Sequence, residues 1–176
     1  EESGLFGVEI TAAHRFSYLP GYWSGLGFKA SYNYTTSDFE FEDSLYGDRF
    51  TRQLDGTLVQ THEGIVAPGG LPGLSENVFS GTLYYQIGDL DLSAIYKYRD
   101  NYFQPAVSNG TRLRYVGEVG VLEARAAYEV NDNIRLSVEA INLLSEEKRQ
   151  YQWNEDNLYE LNDYGPRIFF GIRGRF

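Results

Sequence analysis

Glu123, Arg125, Glu129, Arg135 and Glu139 alternate in sign along one stretch of the chain, and Arg167, Arg173 and Arg175 follow near its end. Carboxylates can drive hydrolysis only as a pair at one level with a cleft between them. Interleaved with arginines, these glutamates read instead as members of cross-strand ion pairs. The later arginines have a second use, because a guanidinium fork holds a carboxylate bidentately and stays charged at any relevant pH. Other chemistry is sparse: the chain has 2 histidines and no cysteine. Thr61-His62-Glu63 offers one imidazole and one carboxylate, too few for a metal site. His14 reads as a polar stop in an apolar alternation. With no Ser/His/Asp set and no phosphate loop, the residues imply neither an enzyme nor a cofactor.

The elements that must position these charges are strands. Along the last stretch, Pro166, Ile168, Phe170, Ile172, Gly174 and Phe176 fall on one face, and Arg167, Phe169, Gly171, Arg173 and Arg175 on the other. Successive side chains of a strand point to opposite sides, so one side is apolar and the other cationic. The same period recurs over 7–18, 25–35, 78–87, 90–99, 122–130 and 134–140, which predicts an antiparallel set of about seven strands. Short turns near 20, 88 and 132 alternate with long loops over 38–74, 104–118 and 146–158. On the polar faces stand Glu9, Asp91, Glu123, Glu129 and Glu139 against Arg15, Lys29, Lys97, Arg99, Arg125, Arg135, Arg167, Arg173 and Arg175. Those faces are net basic, whereas the loops carry most of the chain's acids. No charge falls on the apolar face of any strand.

Two architectures bury such apolar faces. A soluble sandwich packs them against a second sheet, and a membrane barrel turns them to lipid with a polar lumen behind. Aromatics make up 16% of the chain and glycines number 19, a mix suited to strands and turns. Mean hydropathy is -0.41 and no apolar run reaches the length of a spanning helix, which excludes a helical membrane protein but not a barrel. The short-turn, long-loop asymmetry favours the barrel. A net charge of -10 argues against nucleic acid as a partner. The sequence holds no methionine, position 1 included, which is expected of a processed or truncated chain.

Several segments in this order resemble the C-terminal part of a TonB-dependent outer-membrane receptor. They are Leu19-Pro20-Gly21 with Gly25-Leu26-Gly27, Tyr32-Asn33-Tyr34-Thr35, Leu71-Pro72-Gly73-Leu74-Ser75 and Tyr96-Lys97-Tyr98-Arg99. Glu139-Ala140-Ile141-Asn142-Leu143, Gly165-Pro166-Arg167 and a final Phe176 complete the set. The family usually has an aromatic where this chain has Gly174. The resemblance implies an all-β fold, with residues 1–176 as the C-terminal portion of a larger barrel of the 22-stranded type, its plug domain and N-terminal strands absent. It implies a bacterial outer-membrane location and energy-coupled uptake of a scarce, bulky nutrient: an iron chelate, cobalamin or an oligosaccharide. The implied partners are the lipid bilayer, lipopolysaccharide, the receptor's own plug, the TonB system and the barrel-assembly machinery. The assembly machinery would read Phe176, Phe170 and Ile172 on the closing strand. Arg167, Arg173, Arg175, Tyr84 and Phe169, phased inward, are candidate contacts with lumen or plug. Tyr32, Tyr34, Tyr96 and Tyr98, phased outward, suit an interfacial girdle. The acidic stretch 38–74 reads as a solvated surface loop; the sharper reading gives it a cationic or chelated ligand, or a divalent bridge to lipopolysaccharide. A passive barrel without energy coupling and a secreted sugar-binding β-sandwich are the alternatives.

Overall fold

A computed structural model describes residues 4–39, 49–62, 71–104, 114–152 and 155–175. Phe176, Glu63, Pro68 to Gly70 and Asn109-Gly110 lie outside them, as does the side chain of His62. The elements are β1 (Leu5–Arg15), a single 3-10 turn (Gly21–Gly25), β2 (Leu26–Ser37), β3 (Arg49–Arg52), β4 (Leu58–His62), β5 (Asn77–Ile87) and β6 (Leu90–Arg99). After them come β7 (Tyr102–Phe103), β8 (Arg114–Val116), β9 (Val119–Asn131), β10 (Ile134–Ile141), β11 (Lys148–Gln152), β12 (Leu158–Asn162) and β13 (Arg167–Gly174).

Seven strands form one antiparallel meander in the order β1-β2-β5-β6-β9-β10-β13. Each pairs with the next in the register that its period-two pattern demands. Ile10 lies opposite Tyr32, which faces Phe79, which faces Tyr98. Further along, Leu92 faces Ala126, Ala126 faces Val138, and Val138 faces Phe170. The apolar face is therefore continuous across the sheet, and no Asp, Glu, Lys or Arg interrupts it from Val8 to Ile172. A slip of one residue in any pair would turn a whole strand over.

No second layer packs on this face. Leu83 is 66% exposed, Phe170 84% and Ile172 80%. Ala127 is the one apolar side chain of the wall that counts as buried among the described residues; Phe103, Val116 and Tyr151 belong to a separate small sheet. A sandwich would bury the wall's leucines and phenylalanines between two sheets, so the sandwich alternative has no counterpart here. The sheet does not close within these residues, and β1 and β13 are its two edges. It is an open segment of a β-barrel wall.

The long connections depart from expectation. In place of long loops, β3 pairs with β4, and β7, β8, β11 and β12 make a four-stranded sheet in the order β12-β11-β8-β7. That order repeats the order of β6, β9, β10 and β13. β7 continues β6, β8 leads into β9, β11 continues β10, and β12 leads into β13. The small sheet is thus the outward extension of the same wall strands beyond a break in each. Its core is Phe103, Val116 and Tyr151. One short turn also proves longer: residues 16–25 join β1 to β2 through the 3-10 turn, whereas β5–β6 and β9–β10 are joined by Gly88-Asp89 and Asp132-Asn133.

The break between β10 and β11 is held by Asn142, buried and at φ 58°. Its Nδ2 donates to the carbonyls of Glu146 at 3.1 Å and Gly165 at 3.3 Å, and its Oδ1 accepts from the Glu146 amide at 2.9 Å. Asn tolerates this left-handed conformation better than other side-chain-bearing residues. Asn142→Gly, which keeps the backbone and removes the bonds, should lower unfolding stability by about 1–3 kcal/mol in denaturant titration of the micelle-folded protein. Asn142→Ala should cost more, because it adds backbone strain. For the two faces, Leu83→Arg should cost about 2–4 kcal/mol at mid-membrane and deplete the heat-modifiable folded form, and Leu136→Arg, near the Asp132-Asn133 turn, should cost less. Thr11→Arg on the polar face should leave that form near wild-type yield.

Candidate functional site

The polar face of the wall gathers the charges singled out in the sequence. Glu129, Arg135 and Arg173 form one row across β9, β10 and β13. Asp91, Ala127, Ser137 and Gly171 form the next, and Ser93, Arg125, Glu139 and Phe169 the one above it. Arg135 is held from one side by two acids: its Nη1 lies 2.9 Å from Glu129 Oε1 and its Nη2 3.5 Å from Asp91 Oδ2. Glu123 pairs with Lys97 of β6, Nζ to Oε1 at 3.0 Å. Glu139 stands directly across from Arg125 without forming a salt bridge. Partly exposed pairs of this kind contribute about 0–1 kcal/mol each, so they set side-chain positions more than stability.

The candidate lumen residues do not meet as one cluster. Arg167 faces Ile141 at one end of β13, and Arg173 faces Arg135 at the other. Six residues of extended chain separate them by about 20 Å. Arg175 lies just past the strand, where its amide donates to the Asn133 carbonyl at 2.9 Å. Among the described residues none of these three arginines forms an ion pair. Phe169 faces Glu139 and is 51% exposed on the polar side. Phe170 and Ile172 stand on the apolar side of the edge strand.

Tyr84 has a local partner that sequence reasoning missed. It is the register partner of Gly27, and its ring lies over that residue so closely that a Cβ there would overlap it. Bare backbone is what admits the ring. Tyr96 covers Gly120 on the apolar face in the same manner. The signal was an aromatic and a glycine on adjacent strands, legible only once the register is known.

A second missed cluster lies where the wall meets the small sheet. Arg99 donates from Nε to Ser75 Oγ at 2.7 Å and from Nη2 to the Gly73 carbonyl, and its guanidinium stacks 4.0 Å from the Tyr102 ring centre. Ser75 Oγ in turn donates to the Asp100 carbonyl at 2.8 Å, and Asn77 Nδ2 donates to Asp100 Oδ2 at 2.8 Å. These contacts tie Leu71-Pro72-Gly73-Leu74-Ser75 to the outer end of β6. Beyond them Tyr115 and Tyr151 stack with ring centres 5.5 Å apart, and burial pushes both phenols above their ordinary pKa. A cavity of about 500 Å³ beside Tyr151 is bounded by Glu118, Glu146, Glu147, Glu155 and Arg149. Among the described residues no group of three or more His, Asp or Glu side chains is placed to hold a metal ion.

A family model described as TonB dependent receptor-like, beta-barrel, matches residues 3–143. The chain belongs to this family. No curated protein and no solved structure matches it. The family consists of outer-membrane receptors and transporters rather than enzymes, with barrels embedded in the membrane and working with a plug and TonB. The matched span ends after β10, yet β13 extends the same sheet by pairing with β10 from Ile134↔Gly174 to Ile141↔Arg167.

The Tyr84–Gly27 contact yields a direct test. Gly27→Val should lose about 1–3 kcal/mol through overpacking, read from the denaturant midpoint of the micelle-folded protein. Tyr84→Ala in the same chain should restore most of that loss. If the double variant is no more stable than Gly27→Val alone, the ring is not what the glycine accommodates.

Proposed function

We propose that this chain is the C-terminal wall segment of a 22-stranded, plug-bearing transporter of the bacterial outer membrane. Its work is TonB-dependent uptake of a scarce, bulky nutrient such as an iron chelate, cobalamin or an oligosaccharide. The observation that carries this reading is the two-faced meander, continuous in register over seven strands, in a chain of this receptor family. An open sheet cannot stand in lipid with unpaired edges, so β1 and β13 would be joined by further strands of the same barrel. The apolar face contacts lipid, the polar face bounds the lumen and the plug, and the acidic outer extensions stand among lipopolysaccharide headgroups. Phe170 and Ile172, on the outer side of the edge strand, are what the assembly machinery engages together with Phe176. Arg167, Arg173, Arg175, Tyr84 and Phe169 face the plug or the lumen water.

Energy coupling separates this transporter from a passive barrel of the same wall. In a host that expresses the receptor, uptake should be assayed with labelled ferric chelates, cobalamin and oligosaccharides. Accumulation of the true substrate should fall to background when TonB is deleted or a protonophore is added. Uptake that survives both treatments at the wild-type rate would make the chain part of a passive channel.

A further inference from the structure

On the polar face, a cavity of about 270 Å³ is lined by Arg125, Arg135, Ser137, Gly171, Ile172 and Arg173. Its construction follows from the register. Ser137 and Gly171 are partners in one row, and Ala127 is the partner of Ser137 on the other side. Ser137 and Gly171, both small, line the hollow between the flanking rows. Arg135 and Arg173 rise from the row on one side, and Arg125 from the row on the other.

The charges around the hollow are unevenly satisfied. Arg135 is engaged by Glu129 and Asp91. Arg173 stands directly opposite Arg135 and has no ion pair among the described residues, nor does Arg125. Like charges directly opposite on a sheet repel. Glu139 is the acid best placed to relieve Arg125, yet no salt bridge joins them, and Arg125 lines the hollow instead. The Ser137 hydroxyl spends its proton on a long 3.5 Å contact with the Gly171 carbonyl, which a better acceptor would displace. Two guanidinium forks without an acid partner among the described residues, with a hydroxyl around the same depression, are a donor set for a planar or tetrahedral oxoanion. The volume suffices for such a group with several waters, at about 30 Å³ for each water.

We propose that this hollow is an oxoanion-binding site on the inner wall, held by Arg125 and Arg173 over Ser137, that takes a carboxylate or phosphate group. It rests on the reading that this face bounds an aqueous lumen. The oxoanion has two sources: a carboxylate side chain of a domain seated inside the barrel, or a free anionic solute passing along the wall. Both would make the same bonds.

One introduced thiol distinguishes them, since this chain has no cysteine of its own. Ser137→Cys, nearly isosteric, is placed in the full receptor in outer-membrane vesicles. It is then reacted with small anionic and cationic thiosulfonate reagents, with and without inorganic phosphate. For a site serving free anions, the anionic reagent should react faster by roughly tenfold or more, as expected of a cleft of one charge sign. Phosphate should slow it, and Arg125→Gln or Arg173→Gln should erase the preference. For a site filled by a resident carboxylate, neither reagent should react until Arg125→Gln and Arg173→Gln are combined, whereupon the thiol opens to both. Equal reactivity to both reagents without effect of phosphate, or shielding that survives the double arginine change, overturns the proposal. Thr11→Cys, on the same face far from the hollow, guards the premise. If it is unreactive with the inner domain both present and deleted, the lumen reading fails; if it reacts in either form while Ser137→Cys gives an overturning result, only the oxoanion site fails.

Discussion

Inside hydrocarbon every backbone amide and carbonyl has to find its partner in protein, and a sheet meets that demand only by pairing each strand with a neighbour along its length. Register then carries the whole design. Once β1 pairs with β2 through Val8↔Tyr34 and Ala12↔Ala30, the sides on which Glu9 and Arg15 emerge are fixed. The choice passes from strand to strand until β13 places Ile168 and Phe170 on one side and Arg167 and Arg173 on the other. No hydrophobic core enforces it, because the apolar side chains of the wall remain open to their surroundings. What enforces it is the cost of placing a guanidinium in lipid, about 2–4 kcal/mol at mid-depth for each side chain. A slip of one strand would impose that cost at several positions together.

The same constraint accounts for the placing of bulk and charge on the polar face. A wall with water behind it can hold arginines without burying them, so their pairing is a matter of position rather than survival. Arg135 draws Glu129 and Asp91 together from two strands, and its neighbour Arg173 is left facing it from a third. Glycine has the complementary part. Gly27 and Gly120 lie in strands where a side chain would be expected, and in each case a tyrosine from the adjoining strand occupies the space. These pairings fix local register without adding a side chain that would project into lumen or lipid.

The wall was legible because both of its faces act on the sequence at once. Leu90, Leu92, Ala94, Tyr96 and Tyr98 against Asp91, Ser93, Lys97 and Arg99 leave one phase, and the observed β6 keeps it from end to end. The small outer sheet was not legible for the opposite reason. In β11, Lys148-Arg149-Gln150-Tyr151-Gln152 has polar residues on both sides, and β7 has only Tyr102 and Phe103. Strands of two to five residues with polar side chains on both faces leave too few positions for a period to show. The candidate site was legible by residue and not by arrangement. Arg173 shares the polar face with Arg125, and that relation depends on Arg125 sharing β9 with Ala127, across β10. Spacing along one strand cannot disclose a relation that runs across three.

The breaks between wall and outer extension show why the loops differ in kind from the strands below them. At Asp100, Glu118 and Asn142 the alternation stops where polar side chains begin to accept and donate across strands. Asp100 binds Asn77, Glu118 accepts from Tyr98 Oη at 2.7 Å, and Asn142 holds Glu146 and Gly165. Such groups would be costly within hydrocarbon and are ordinary above it, so they mark the level at which the apolar requirement ends. Beyond that level the chain is free to turn, and β7, β8, β11 and β12 pair again in the strand order inherited from the wall. The inherited order brings Tyr115 beside Tyr151 and closes a core around Phe103 and Val116. An outer surface built this way can change its side chains without disturbing register, because its strands are aligned from below. That separation lets one rigid wall carry outer surfaces of many chemistries.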